Sequence, residues 1–270
     1  MILELTILDW LFFAATGAVA GLAAGYLGIG GGMIIVPALS LYLQDKFPLF
    51  ASQSQQAVAT SLATILVTGT AAALTHHKRG AIDWGWIKQL GPGLFAGAVA
   101  GAWIADQISS EWLIRIFSVF ALLSGLRMIL KKESTAANIS LNTAWIRISG
   151  LAIGSLSSLL GIGGGTLTVP MLSALQIKIH QAVAIASAAG VVIAVAGTLG
   201  FVITGLEVKD LPPGSFGYIY LPAGLGIIAT SVLTAPLGAK LVHKSHPEVV
   251  KRVFGSLLIL VALRLWLRSF

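Results

Sequence analysis

Long apolar runs separated by short polar turns dominate this chain. The clearest are Ala57 to Leu74, Leu90 to Ala105, Trp112 to Leu130, Ile148 to Leu160, Ala182 to Ile203, Tyr218 to Ala239 and Val253 to Leu267. Ile7 to Ala24 reads as a further, retained helix. A signal peptide would need a basic n-region, and Glu4 and Asp9 stand there instead. Several runs reach the roughly 20 residues that cross a bilayer core. In hydrocarbon the backbone must satisfy its own polar groups, so each run is predicted to be a helix. The expected fold is all-α, a polytopic transmembrane bundle.

Two places break this pattern in the same way. Residues 28–37 read Gly-Ile-Gly-Gly-Gly-Met-Ile-Ile-Val-Pro, and residues 161–170 read Gly-Ile-Gly-Gly-Gly-Thr-Leu-Thr-Val-Pro. Each is followed by a short apolar stretch and then Gln-Ala-Val-Ala, at Gln56–Ala59 and Gln181–Ala184. Further on, Gly101 and Ala102 match Gly238 and Ala239, Arg115 matches Arg252, and Arg127 matches Arg264. The chain is an internal repeat: a first membrane repeat over 1–130, a polar linker over 131–144 and a second repeat over 145–270. Glycine lowers helix stability by about 1 kcal/mol relative to alanine, so the chain should unwind at each cluster. Pro37 and Pro170 then suit the first turn of a restarted helix. Those short helices, over 33–43 and 166–177, can be re-entrant or can cross. From Met33 to Leu43 a helix is only about 16 Å long, against a hydrocarbon core of about 30 Å.

Composition excludes a soluble ball: 10% of the residues are charged and 56% hydrophobic, where soluble domains carry about 25% charged residues. The net charge of +7 does not point to nucleic acid, because Lys and Arg sit in short loops, where they set topology. With an odd number of crossings per half, one side collects Lys78, Arg79, Lys131, Lys132, Arg147, Lys178, Lys240, Lys244, Lys251 and Arg252. The other collects Glu4, Asp9, Asp45, Asp106, Glu111, Glu207 and Asp210, with Lys46, Lys209 and Arg268. That split obeys the positive-inside rule and favours inverted halves with both termini outside. Cysteine is absent, which removes disulfides, thiolate metal sites and a cysteine nucleophile.

The candidate chemistry lies at the two breaks. A helix start offers free N–H groups and a partial positive charge, and glycines let an anion approach the backbone. Matched broken helices in two halves point to a transporter site between them. The residues assigned to substrate are Gly28, Gly30, Gly31, Gly32 and Pro37 in the first copy, and Gly161, Gly163, Gly164, Gly165, Thr166 and Pro170 in the second, with Thr168 nearby. Gln56, Thr60, Ser61, Gln181 and Ser187 are polar groups in apolar surroundings, suited either to substrate oxygens or to interhelical hydrogen bonds. The Thr60-Ser61 pair is not repeated in register, since Ile185 and Ala186 stand there. A dinucleotide or P-loop reading fails for want of Gly-Lys-Ser/Thr and of a preceding soluble strand. Gly17, Gly21 and Gly25, and Gly93, Gly97 and Gly101, are spaced by four and read as packing stripes. His76 and His77 read as an interfacial anchor beside Lys78 and Arg79. No carboxylate lies deep in a clear span, which argues against a buried-carboxylate proton relay but leaves coupling through the substrate or a histidine open.

The paired Gly-Ile-Gly-Gly-Gly…Val-Pro motifs resemble the TauE/SafE family, also called the sulfite exporter or TSUP family, over nearly the whole chain. The resemblance implies a multi-pass transporter of the bacterial inner membrane. It implies substrates such as sulfite, sulfoacetate or related small sulfur-containing and organic anions, often exported, with no cofactor. The expected partners are a small anion and the lipid bilayer. An anion channel would use the same dipoles, and a non-transporting subunit would explain the packing glycines alone. An intramembrane enzyme would need a nucleophile and base or a metal cluster within the spans.

Overall fold

The computed structural model describes residues 5–27, 30–130, 142–241 and 247–268. Among them the fold is almost wholly helical. The first half holds α1 (Ile7–Leu27), α2 (Gly32–Lys46), α3 (Gln53–Lys78), α4 (Trp84–Gln107) and α5 (Ser110–Leu130). The second holds α6 (Thr143–Leu159), α7 (Gly165–Ala174), α8 (Ile179–Gly205), α9 (Leu221–Leu241) and α10 (Pro247–Arg268). Five of the described helices are long and apolar enough to cross a membrane: α1, α3, α5, α8 and α9. Most of the expected 131–144 linker lies outside the described residues, and its last two residues open α6.

Helix starts follow local chemistry. Thr6 and Asp9 form a reciprocal box at α1, the Thr6 amide donating to Asp9 Oδ2 at 2.7 Å and the Asp9 amide to Thr6 Oγ1 at 3.4 Å. Asp83 caps α4 by accepting from the Gly85 amide, and Asn142 caps α6 by accepting from the Trp145 amide.

The helix ends gather at two poles. At one, Tyr42 and Lys46 of α2 both donate to Asp9 of α1 at 2.9 Å, Arg268 pairs with Asp45, and the Tyr218 hydroxyl donates to Asp106. At the other, His77 packs edge-on to Trp84, and Ala184 and Ala188 of α8 cluster with Ile82. These poles divide the charges much as the sequence suggests, although Asp83 joins the basic one. Asp9 is buried, and the Lys46 side chain is about a third exposed (35%). Lys46→Ala is therefore expected to lower stability by about 1–2 kcal/mol, less than the roughly 3–5 kcal/mol of a fully buried pair. The melting midpoint in detergent measures this; an unchanged midpoint would show the pair to be idle.

Glycine stripes join the halves. Along α4, β-carbons at Gly93, Gly97 and Gly101 would overlap the carbonyl oxygens of Arg147, Leu151 and Ser155 in turn, so α4 and α6 run parallel with their backbones touching. Along α1, Gly17 and Gly21 meet Ile227 and Ser231 of α9 in the same manner, also parallel. Each pairing is the other with the halves exchanged, since α6 and α9 are the repeat counterparts of α1 and α4. In lipid, close backbone packing of this kind drives helix association.

Three sequence expectations need correction. The helix expected from Tyr218 begins at Leu221, because Ser215–Phe216 and Ile219–Tyr220 form a small antiparallel hairpin before it. The short helices are 15 and 10 residues long, at 32–46 and 165–174. Pro37 and Pro170 each fall at the sixth helical residue, one turn later than expected, because both helices already start at the last glycine of their cluster. A proline there has no N–H to return to the carbonyl four residues back, at Met33 and Thr166.

Candidate functional site: two broken helices in contact

The second break can be followed residue by residue. Gly161 takes φ +66° and ends α6. Its amide donates to the Ser158 carbonyl at 3.1 Å, and the Ile162 amide to the Ser157 carbonyl at 2.9 Å. This is the Schellman arrangement, which favours glycine at the left-handed position. The chain runs unpaired through Gly163 and restarts as α7, with Gly164 as its cap. In the first half Gly30 takes φ +74° and Gly31 caps α2. Gly28 lies outside the described residues.

The two breaks touch. A β-carbon on Gly30 would stand 3.4 Å from Gly163 Cα, and one on Gly163 would stand 3.7 Å from Gly30 Cα. One on Gly32 would overlap the Gly161 carbonyl oxygen. Gly31 packs against Ala20 of α1, and Gly164 against Gly190 of α8. Gly31 and Gly164 have ordinary helical angles, so at those two places glycine serves close approach rather than an unusual backbone. The motif copies also differ, since Gly30 has positive φ and its counterpart Gly163 does not.

The contact lies deep. Ile65, which packs on Gly163, is about 18 Å along α3 from Gln53. Gly190, which packs on Gly164, is about 16 Å along α8 from Ile179 at the opposite pole. From this crossing α2 runs to the acidic pole and α7 to the basic pole, so both helices present their N-termini to it. Neither start has a side-chain cap. Among the described residues, the Gly165 amide has no backbone acceptor.

Of the polar residues assigned to substrate, three join the halves directly. Ser61 Oγ donates to the Gly161 carbonyl at 2.7 Å, Thr60 Oγ1 accepts from the Tyr220 amide at 2.9 Å, and Gln56 Nε2 donates to Ser215 Oγ at 2.9 Å. All three are fully buried. In this conformation each of them bonds from α3 to the break at Gly161 or to the 215–220 hairpin of the other half, and not to another helix. Gln181 and Ser187 do not join them. Gln181 lies half-buried in the first turn of α8, at the basic pole, and Ser187 donates to Val183 of its own helix. Thr166 and Pro170 are half-buried on α7, and Pro37 is buried in α2.

Two features escape a reading of the motifs alone. The hairpin over 215–220 has no equivalent between α3 and α4, where five residues suffice for the turn. Its Tyr218 and Tyr220 are buried, and burial raises both phenols, Tyr218 also through Asp106 and Tyr220 to about 12, so both stay neutral at physiological pH. The second is a set of buried hydroxyls on Ser157, Ser158 and Thr168, which have no hydrogen-bond partner among the described residues. The Ser-Ser pair just before Gly161 was the available signal for the first two.

Comparison with known proteins matches nearly the whole chain. The family model described as "Sulfite exporter TauE/SafE" matches residues 13–265. A Haemophilus influenzae protein named "Probable membrane transporter protein" is 36% identical over 253 residues, covering 93% of this chain and 96% of that protein. Bacillus subtilis YunE, named in the same way, is 26% identical, covering 96% of this chain and 97% of its own. A Methanocaldococcus jannaschii protein, again named a probable membrane transporter, is 25% identical over 90% of each chain. No solved structure gives a significant match.

Proposed function

The chain belongs to the sulfite exporter TauE/SafE family, whose members are named as membrane transporters and not enzymes, and from that premise we propose an alternating-access carrier that exports small sulfur-containing or organic anions such as sulfite or sulfoacetate. A multi-pass membrane transporter of this family is the starting point. The substrate, the direction, the bacterial inner membrane and the central site are this proposal.

One observation carries the site. Two helix N-termini, one from each half, face each other across Gly30 and Gly163 at the middle of the bundle. Each has the character of about half a positive charge. Facing positive ends repel one another, and an anion between them removes that repulsion while accepting from uncapped amides. The parallel pairing of α1 with α9 and of α4 with α6 supports inverted halves, a common carrier architecture with its site between the repeats. The positive-inside rule then puts the basic pole in the cytoplasm. With Gly30 and Gly163 in contact the centre is closed, so an anion enters only if the two breaks part. That favours a carrier over a permanently open channel.

The purified protein in liposomes tests this. Export of labelled sulfite should saturate with concentration, whereas a channel gives flux that keeps rising. Because the chain has no cysteine, Ile65→Cys provides a single reporter at the crossing. It should react with a small impermeant thiol reagent applied to either face, more slowly when substrate is present. A thiol reached from neither face under cycling conditions would end the alternating-access reading.

A further inference from the structure

Resting on the central site just described, we infer that the anion carried bears a single negative charge, so that an oxyacid ionising twice crosses as its hydrogen anion and takes one proton with it. The charges available at the crossing set this limit. Residues 10–44, 47–75, 148–177 and 181–206 include the broken helices and the parts of α1, α3, α6 and α8 packed on them. They contain no Asp, Glu, Lys, Arg or His. The charged and histidine groups on these elements stand at the poles: Asp9, Asp45 and Lys46 at one, and His76, His77, Lys78, Arg147, Lys178 and His180 at the other. On α4, Lys88 and Asp106 are likewise near its two ends, and the hairpin adds only the neutral phenols Tyr218 and Tyr220.

An anion at the crossing is therefore held by dipoles alone. Two helix ends at about half a charge each amount to roughly one positive charge, which balances one negative charge and not two. The cost of taking an ion out of water rises with the square of its charge, so a dianion costs about four times as much as a monoanion of the same size. No buried cation offsets the difference.

A second observation points to a ligand at the same place. Thr168, in the second turn of α7, is fully buried, and its hydroxyl has no partner among the described residues. In a helix the Cα–Cβ bond leans toward the N-terminus, so the Thr168 side chain covers the opening turn that holds Gly164 and Gly165. The equivalent position in the first copy is Ile35. The site thus has one neutral donor on one side, suited to an oxygen of the anion. The inference narrows the substrate range, since fully ionised sulfoacetate carries two charges.

The test uses the full chain in liposomes with the membrane potential clamped and three probes: methanesulfonate, sulfate and sulfite. Methanesulfonate stays singly charged and should show flux independent of pH. Sulfate stays doubly charged and should neither cross nor compete. Sulfite flux at fixed total concentration should fall about tenfold per pH unit above its second ionisation. Sulfate flux equal to that of methanesulfonate, or sulfite flux rising with pH, overturns the inference while leaving the carrier in place. A charge-selective flux that never saturates retires the carrier and leaves the charge limit standing, and no flux of any probe removes both. Thr168→Val should weaken apparent affinity for methanesulfonate about tenfold, the loss of one hydrogen bond to a charged group. Its melting midpoint should be unchanged or higher, because an unpartnered buried hydroxyl is lost. Unchanged affinity in that variant removes Thr168 from the site.

Discussion

Gly30→Ala should reduce transport at least about a hundredfold, which corresponds to roughly 2.7 kcal/mol on the rate-limiting step, while leaving a folded, membrane-inserted protein. The backbone at Gly30 has φ +74°, and a side chain there costs about 1–2 kcal/mol. The new methyl would stand 3.4 Å from Gly163 Cα, a contact the fold can absorb. Function has less tolerance. The methyl occupies the seam where the two breaks close on the anion, and it covers backbone that the anion must approach. Gly163→Ala tests the same seam without backbone strain, since its nearest neighbours would be Ile65 and Gly30 at 3.5 and 3.7 Å. Gly31→Val and Gly164→Val press instead on Ala20 and Gly190 and should abolish flux too, with a larger loss of stability. Gly91, where a β-carbon meets nothing within 4 Å beyond its chain neighbours, supplies the control: Gly91→Ala should leave flux unchanged and the melting midpoint unchanged or higher, since alanine favours the helix. If Gly30→Ala and Gly163→Ala transported at the normal rate per folded molecule, the crossing would not be the site.

Most of the architecture could be read along the chain because lipid narrows the choices. A long apolar run in hydrocarbon can satisfy its backbone only as a helix or in a closed barrel, and this is why Ala57–Leu74 and Ala182–Ile203 fall inside α3 and α8. The repeat located both breaks because glycine clusters and prolines recur at matching offsets. Legibility failed where tertiary contacts decide. Whether Ser61 donates to an anion or to the Gly161 carbonyl depends on a neighbour a hundred residues away, which no local pattern contains. Gln56 and Gln181 look equivalent in sequence, yet they sit at opposite poles because their helices start from opposite ends of the bundle. The hairpin was hidden because Tyr218, Ile219 and Tyr220 are apolar enough to extend the run of α9, while the turn signal at Gly214 and Gly217 is short. The prolines were misplaced by one turn because glycine's low helix propensity is only a weak prior: packing against Gly161 and Ile162 holds Gly32 in the helix.

Gly97→Leu should leave no folded protein to assay, unlike the seam variants. A β-carbon at Gly97 would overlap the Leu151 carbonyl oxygen and lie 2.9 Å from the Ser155 amide nitrogen. These are backbone atoms of α6, which cannot rotate away as a flexible side chain can. Extra carbon in a tight interface commonly costs 1–3 kcal/mol, and here the helices must separate along a stripe that Gly93 and Gly101 extend in both directions. Lipid gives helices no hydrophobic reason to stay together, so the backbone packing that the leucine would break is the main force holding them. Gly21→Leu strikes the twin interface, where Ser231 and Thr234 of α9 crowd the same position, and should fail to a similar degree. Both interfaces tie one half to the other, so their loss parts the halves rather than loosening one helix within its own repeat. Gly91→Leu adds the same side chain to the same helix at an open position and should fold. Size-exclusion profiles and melting midpoints in detergent separate the cases. A monodisperse Gly97→Leu protein with an unshifted midpoint would mean that the stripe does not hold the halves together, and the rigid bodies on which alternating access depends would need a different seam.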